Sequence, residues 1–182
     1  MIVRFTFQLE ASDPRKALPH KLLLVQGRDE SRAIVLLRLL GYLLFFRERL
    51  QISADLHDDN IVFVPDLVQL DYQLRPVLWV ECGDPKIDRL NRLAVKAPDA
   101  ELWILRPSSV DAENLHRAMV RAGLRRNRYR IIGFDPAWFE ELLGLLGPRN
   151  RVFWVAGTFD PPQVQFEFNG LWFDAEFHLL TF

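Results

Sequence analysis

Two acidic residues in the middle of the chain have the types and the spacing that metal-assisted chemistry uses. Asp66 follows a proline, and after fourteen intervening residues the chain reaches Glu81-Cys82-Gly83. A turn near Leu74 would fold these segments into an antiparallel hairpin with Asp66 opposite Cys82, one residue from Glu81. Cross-strand neighbours of this kind have Cβ atoms about 5–7 Å apart. Two carboxylates at that separation repel each other unless a cation or a proton lies between them.

Paired carboxylates suit a hard divalent cation. Proteins hold Mg²⁺ with one or two carboxylates together with water and substrate phosphate. Such an ion offsets the developing charge on a phosphodiester and lowers the pKa of the attacking water. The residues therefore predict a Mg²⁺ site with Asp66 and Glu81 as ligands. The structural alternative is that Asp66 caps a turn and that Glu81 forms an ion pair with Arg89 or Arg92.

Several motifs surround these acids: Asp29-Glu30-Ser31, Leu36-Leu-Arg-Leu-Leu-Gly, Glu48-Arg-Leu-Gln, Pro65-Asp66-Leu67, Leu78-Trp-Val-Glu-Cys-Gly-Asp-Pro and Arg89-Leu90. In these motifs the chain resembles the YaeQ family, whose members are uncharacterised bacterial proteins with a fold similar to PD-(D/E)XK, restriction-endonuclease-like enzymes. The resemblance implies that Asp66 and Glu81 are the first and second acids of the nuclease motif. It also implies that Glu30, placed early in the first helix, is an auxiliary acid near the metal.

The third position of the nuclease motif departs from its pattern. A lysine is expected two residues after Glu81, but Gly83 stands there, as it does in YaeQ-like proteins. A basic residue on the next helix, Arg92 or Lys86, would then contact the phosphate. Arginine binds phosphate well but hardly ever gives up its proton. Two hypotheses follow: a Mg²⁺-dependent nuclease with a degenerate site, or a non-catalytic nucleic-acid- or protein-binding module on the same fold.

A second functional candidate is a basic segment in the later half of the chain. Six of the 23 lysines and arginines fall within fourteen residues, at Arg117, Arg121, Arg125, Arg126, Arg128 and Arg130. Such a concentration predicts contact with nucleic-acid phosphates. The alternative is a solvated helix end whose cations suit the negative end of the helix dipole.

Apolar periodicity predicts the elements that position these residues. A strand hairpin (3–10 and 20–25) leads into a long helix from Asp29 to about Arg49. Strand-like segments at 51–56, 61–64, 66–72 and 77–82 precede a helix over 86–96. Strand 101–105, helix 111–123, strand 129–134, helix 136–146 and three terminal strands from Arg151 complete the order. The fold class is therefore α/β (α+β), with a mixed sheet flanked by helices; the resemblance implies a restriction-endonuclease-like core with extra N- and C-terminal strands.

The composition sets the broad class of protein. The 182 residues carry a net charge of −1 and are 49% hydrophobic, which predicts one compact domain over residues 1–182. Cys82 is the single cysteine and the four histidines are scattered, so neither a disulfide nor a zinc site is expected. The longest apolar stretch is too short to cross a bilayer. We expect a cytoplasmic protein without a membrane association; its oligomeric state is left open.

Overall fold

The computed structural model describes residues 2–182. Within them the chain forms one ten-stranded sheet and four helices. The strands are β1 Val3–Ala11, β2 Lys21–Gln26, β3 Gln51–Ile52, β4 Leu67–Leu70, β5 Pro76–Cys82, β6 Glu101–Arg106, β7 Tyr129–Phe134, β8 Arg149–Phe159, β9 Pro162–Phe168 and β10 Leu171–Thr181. The helices are α1 Arg32–Leu44, α2 Ile87–Lys96, α3 Ser109–Arg121 and α4 Pro136–Leu145. This order confirms the mixed α/β class and the predicted sequence of elements outside residues 51–64.

The sheet has the strand order β2-β1-β8-β9-β10-β7-β6-β5-β4-β3. Strands β5, β6 and β7 are parallel, as are β1 and β8, and the other neighbours are antiparallel. Parallel neighbours require crossover connections, and helices α2 and α3 supply them between β5, β6 and β7. The carboxyl end of β5 therefore faces the beginning of α2, where the candidate acids lie.

Two hydrophobic clusters pack on the sheet. The larger contains α1 and α4 residues, and the smaller contains α2 and α3 residues. Leu78, Val80 and Cys82 of β5 belong to the α1 cluster, whereas Trp79 belongs to the α2 cluster. Successive side chains of β5 thus point to opposite faces, as the period of a strand requires.

Helix α1 is shorter at both ends than the predicted segment from Asp29 to about Arg49. Its N-cap is Ser31 and its C-cap is Phe45. Glu30 lies in a turn before the helix, where its carboxylate accepts a hydrogen bond from the Gly27 amide (2.8 Å). Arg49 has a φ of 67°, which a right-handed helix does not allow. The prediction that Glu30 lies early in the first helix is therefore wrong.

The predicted strands at 51–56 and 61–64 are also largely wrong. Only Gln51–Ile52 pairs as β3, and 61–64 forms no strand. Ser53 and His57 have positive φ values of 48° and 50°. The side chain of Asp55 accepts from the His57 amide, and Asp58 accepts in the same way from Asn60. These local side-chain hydrogen bonds favour turns over a strand ladder.

Cys82 and Trp172 differ in exposure. Cys82 is buried, and burial raises the pKa of its thiol. Trp172 of β10 is 52% exposed, whereas the other four tryptophans are buried. No helix among residues 2–182 has the length and hydropathy needed to span a membrane.

Candidate functional site

Glu30, Asp66 and Glu81 line one cleft, together with Lys86 and Arg92. The cleft lies where β5 ends and α2 begins, beside the turn that precedes α1. The sequence therefore placed the five candidate residues in the same region of the molecule. The contacts of the three carboxylates decide what this region can do.

The hairpin of β4 and β5 brings Asp66 next to its partner strand with a shift of one residue from the prediction. Leu67 pairs with Val80, so Asp66, one step further, lies opposite Glu81 rather than opposite Cys82. Leu70 pairs with Pro76, so the turn is centred on Gln73 and not on Leu74, which alone would shift the register by two residues. The irregularity between Gln69 and Leu70 adds one residue on β5 and so removes one step of that shift. The Cys82 amide nevertheless donates to Asp66 Oδ2 at 2.7 Å.

Arg38 of α1 lies between two of the three acids. Its Nε donates to Asp66 Oδ1 at 2.7 Å, and its Nη1 donates to Glu30 Oε2 at 2.9 Å. Its Nη2 forms a further ion pair with Glu30 Oε1. The residue is only 9% exposed. A buried guanidinium therefore occupies the space between these two carboxylates.

The pKa values of Asp66 and Glu30 shift in opposite directions. Burial raises the pKa of Asp66 above its usual value, and attraction to Arg38 only partly offsets this. Burial would also raise the pKa of Glu30, but hydrogen bonds from Arg38 and from the Gly27 amide outweigh it and lower that pKa. Both oxygens of Asp66 are already hydrogen-bonded, one to Arg38 and one to Cys82.

Glu81 has a separate arginine. Its Oε1 accepts from Arg89 Nη2 (2.7 Å) and Nε (3.2 Å), and from Trp79 Nε1 (2.7 Å). The residue is 4% exposed, and burial raises its pKa despite the ion pair. This pairing matches the structural alternative recognised from the sequence. The charge of Asp66 is thus balanced by Arg38 of α1 and that of Glu81 by Arg89 of α2. The two acids nevertheless lie opposite each other across the hairpin.

Arg92 and Lys86, the predicted replacements for the motif lysine, make no polar contact with any of the three acids. Arg92 and Arg89 lie over the ring of Phe63, at 4.9 Å and 4.8 Å from its centroid. Lys86 is the exposed N-cap residue of α2. Within residues 2–182, neither Lys86 nor Arg92 forms an ion pair with an acid, so both cations remain available to an anion that enters the cleft.

Gly83 is required by the backbone and by packing. Its φ is +93°, and a Cβ at this position would clash with Cδ1 of Ile34. L-residues with a side chain rarely adopt this conformation. A side chain at the position of the motif lysine would therefore be strained by the backbone, and Ile34 would have to move to admit it.

The carboxylates as arranged do not fit a Mg²⁺ ion. Among the described residues, no group of three or more His, Cys, Asp or Glu side chains could hold a metal ion. Asp66 and Glu81 each have a guanidinium at 2.7 Å, which supplies the positive charge that a metal would supply.

The predicted basic segment lies at the other end of α2. Arg128 donates to the carbonyls of Ala94 and Ala97, at 2.5 Å and 2.8 Å, where α2 ends. Arg126 lies over Phe182 and Arg130 over Trp103, at 4.5 Å and 5.2 Å. A helix of ten residues is about 15 Å long. The acidic cleft and the basic segment are therefore two separate sites.

Comparison with known proteins identifies the family. A family model described as "YaeQ protein" matches residues 1–152. This chain belongs to the YaeQ family. The match confirms the resemblance drawn from the motifs around Asp66 and Glu81. No curated protein sequence gives a significant match to this YaeQ chain.

Two solved structures of YaeQ proteins share the fold. The protein from Xanthomonas axonopodis pv. citri is 22% identical, with a TM-score of 0.72, and the match covers 100% of this chain and 99% of the other. The protein from Pseudomonas syringae is 18% identical, with a TM-score of 0.75 over 99% and 96% of the two chains. The fold of this YaeQ chain is therefore that of solved family members over its full described length.

Arg38 is the residue of the cleft that the sequence did not single out. It lies among leucines in the segment Leu36-Leu-Arg-Leu-Leu-Gly. An arginine in a helix that is apolar on all sides must be buried, and a buried arginine needs an acidic partner. That signal indicates an ion pair but does not name Glu30 and Asp66 as its partners.

Proposed function

We propose that this YaeQ-family protein is a non-catalytic nucleic-acid-binding module on a nuclease-like scaffold. The observation that carries the first part is the position of Arg38 between Glu30 and Asp66. A guanidinium there satisfies the carboxylates that a metal-dependent nuclease would use for its ion. The scaffold keeps the acidic residues, but they serve ion pairs within the fold.

The stability of the arginine pairs argues against exchange with a metal. Breaking a buried ion pair by removing one partner costs about 3–5 kcal/mol, because an uncompensated charge stays buried. A divalent ion bound by Asp66 would compete with Arg38 and with the Cys82 amide, which already bond to its two oxygens. At Glu81 it would share the carboxylate with Arg89.

The basic segment supports the binding part of the proposal. Arg121, Arg125 and Arg126 are exposed and form no ion pair with any acid among residues 2–182. Rings beneath Arg126 and Arg130 orient these cations without neutralising them. Positive groups of this kind attract nucleic-acid phosphates, and the binding free energy then depends on salt concentration through counterion release.

A salt titration of nucleic-acid binding tests the proposal. We expect the wild type to bind single- or double-stranded DNA or RNA with an affinity that falls steeply with added salt. The double variant Arg125→Glu and Arg126→Glu should bind at least tenfold more weakly and lower the logarithmic salt slope by about 2. The matched control is Arg4→Glu with Lys21→Glu, two exposed cations on β1 and β2. Equal binding by the wild type and the Arg125/Arg126 variant would contradict the assignment of this surface.

The second candidate is a Mg²⁺-dependent nuclease, and one observation favours it. Glu30, Asp66 and Glu81 share one cleft with the unpaired cations Lys86 and Arg92. A cleavage assay of single- and double-stranded substrates with Mg²⁺ or Mn²⁺ separates the candidates. Cleavage by the wild type that Asp66→Ala abolishes would overturn the non-catalytic proposal, whereas we expect no cleavage by either protein.

A further inference from the structure

A second cleft lies at the C-terminal end of α1 and has a different character from the acidic cleft. Its charged side chains are Arg15, Lys16, Arg47, Arg49 and Glu48, and its rings are Tyr42 and Phe46. Four cations thus face one acid. None of these residues takes part in the acidic cleft or in the basic segment between 117 and 130.

Tyr42 in this cleft has a hydroxyl without a partner. The residue is only 7% exposed, and its hydroxyl forms no hydrogen bond with any of residues 2–182. The only fully enclosed side-chain N or O atom without a partner in that range is Nε of Arg106, so the Tyr42 hydroxyl opens to the cleft. Burial raises the pKa of Tyr42, which keeps the hydroxyl protonated and able to donate. A hydroxyl that opens to a cleft and has no partner among residues 2–182 is a donor available to a ligand with an acceptor oxygen.

Lys16 lines the same cleft and forms no ion pair with a carboxylate among residues 2–182. Its Nζ donates to the Leu43 carbonyl at 2.7 Å and lies 5.1 Å from the centroid of the Trp154 ring. The neighbouring Asp13 is taken by Arg15, which binds both of its oxygens at 3.0 Å and 3.1 Å. Burial lowers the pKa of Lys16 to about 8. A bound anion would stabilise the ammonium form.

Two of the three arginines of the cleft, Arg47 and Arg49, are weakly engaged. Arg47 has one long contact with Glu101, at 3.7 Å between partly exposed side chains, and such surface pairs contribute little. Arg49 lies 4.7 Å from the centroid of the Tyr72 ring. Both arginines therefore keep donors free for an anionic ligand.

The cleft also offers an apolar wall. Phe46 is half-buried and meets Tyr42 edge-on, with ring centroids 5.5 Å apart. Pro19 and Leu50 line the same wall. An aromatic edge beside several cations suits a ligand with an anionic group at one end and a flat ring at the other.

We propose that this cleft binds a small organic phosphate that carries a flat ring, the class that nucleoside monophosphates represent. The phosphate accepts hydrogen bonds from the Tyr42 hydroxyl, Lys16 and Arg47, and the ring packs on Phe46. The negative end of α1 accounts for the contact of Lys16 with Leu43, since cations are favoured there. It does not account for the unpartnered hydroxyl or for the arginines.

Calorimetric titration with AMP, adenosine and inorganic phosphate tests this proposal. We expect AMP to bind the wild type with a Kd of about 1 mM or lower, and adenosine and phosphate each to bind at least tenfold more weakly. Tyr42→Phe keeps the ring and removes the hydroxyl, and it should weaken AMP binding about tenfold, the effect of one hydrogen bond to a charged group. The matched control is Tyr72→Phe, whose hydroxyl lies on a side chain that is 90% exposed.

Three results would overturn the proposal: no saturable binding of AMP up to about 10 mM, phosphate that binds as tightly as AMP, or an unchanged affinity in Tyr42→Phe. The proposal is independent of nucleic-acid binding at the basic segment. The double variant Arg125→Glu and Arg126→Glu should keep the wild-type affinity for AMP, whereas its affinity for DNA or RNA should fall.

Discussion

At the scale of single residues, Arg38 joins two segments that are far apart in sequence, since it contacts Glu30 before α1 and Asp66 before β4. Arg38→Met keeps an unbranched apolar stem and removes the guanidinium group with its charge. We expect the free energy of unfolding at pH 7 to fall by about 3–5 kcal/mol, because two carboxylates lose their shared partner. Urea denaturation measures the change.

The control for Arg38 is Arg75→Met, which removes an ion pair with Asp71 from a side chain that is 65% exposed. This change should cost at most about 1 kcal/mol. Adding Asp66→Asn to Arg38→Met should restore part of the lost stability, because one unpaired charge is removed. A loss in Arg38→Met no larger than in Arg75→Met would contradict the role given to the buried guanidinium.

Glu81 predicts a pH dependence. Its pKa in the folded protein is raised, chiefly by burial, so the folded state holds the proton more tightly than the unfolded state. The free energy of unfolding therefore falls as the pH rises from the unfolded pKa, about 4.3, through the raised folded pKa. Glu81→Gln removes this loss and keeps an acceptor for Trp79.

Thermal unfolding between pH 4 and pH 8 checks the Glu81 prediction. The melting temperature of Glu81→Gln minus that of the wild type should grow more positive with rising pH and then level off. Glu140→Gln, on the exposed side of α4, should show no such trend. A difference that becomes more negative with rising pH would mean that Arg89 outweighs burial.

Gly83 predicts a packing effect. Gly83→Ala places a methyl group at positive φ and against Ile34, and we expect a loss of about 2 kcal/mol or more from strain and overlap. Ile34→Ala combined with Gly83→Ala should relieve the overlap, so the two losses should be less than additive in urea denaturation. Strict additivity would show that the two positions do not interact.

At the scale of elements, Arg128 fastens the start of β7 to the end of α2 through two carbonyls. Arg128→Ala should lower the free energy of unfolding by about 2 kcal/mol, because both carbonyls lose a charged donor. Arg125→Ala, which removes an exposed side chain, should change it by less than about 0.5 kcal/mol. Equal effects in chemical denaturation would contradict the structural role of Arg128.

Elements with a clear period could be predicted from the sequence. Strand β1 alternates buried and exposed residues, and β7 is a short, largely apolar run. Helix α4 begins with Asp135-Pro136, a typical helix start. The segment between β3 and β4 could not be predicted, because Asp55 and Asp58 form side-chain turns that override a short apolar run. The predicted start of α1 was wrong for a similar reason, because the Glu30 side chain accepts a hydrogen bond from the Gly27 amide in a turn before the helix.

At the scale of the whole molecule, contacts between distant segments limit what the sequence reveals. The proximity of Asp66 and Glu81 could be predicted, because both residues flank one hairpin with a short, local turn. The parallel pairing of β1 with β8 joins residues more than 140 positions apart, and no periodicity indicates it. The same holds for Arg38, whose contact with Asp66 spans 28 positions. The acids could be named from the sequence, but their neutralisation could not.

The most direct test of the account is the melting temperature of the wild type and of Asp66→Ala with and without about 10 mM Mn²⁺. A ligand that binds only the folded state raises its stability by mass action. Since Arg38 and Arg89 already neutralise the carboxylates, we expect Mn²⁺ to shift neither protein by more than about 1 °C. A rise of several degrees in the wild type that is absent in Asp66→Ala would contradict the account and establish a metal site.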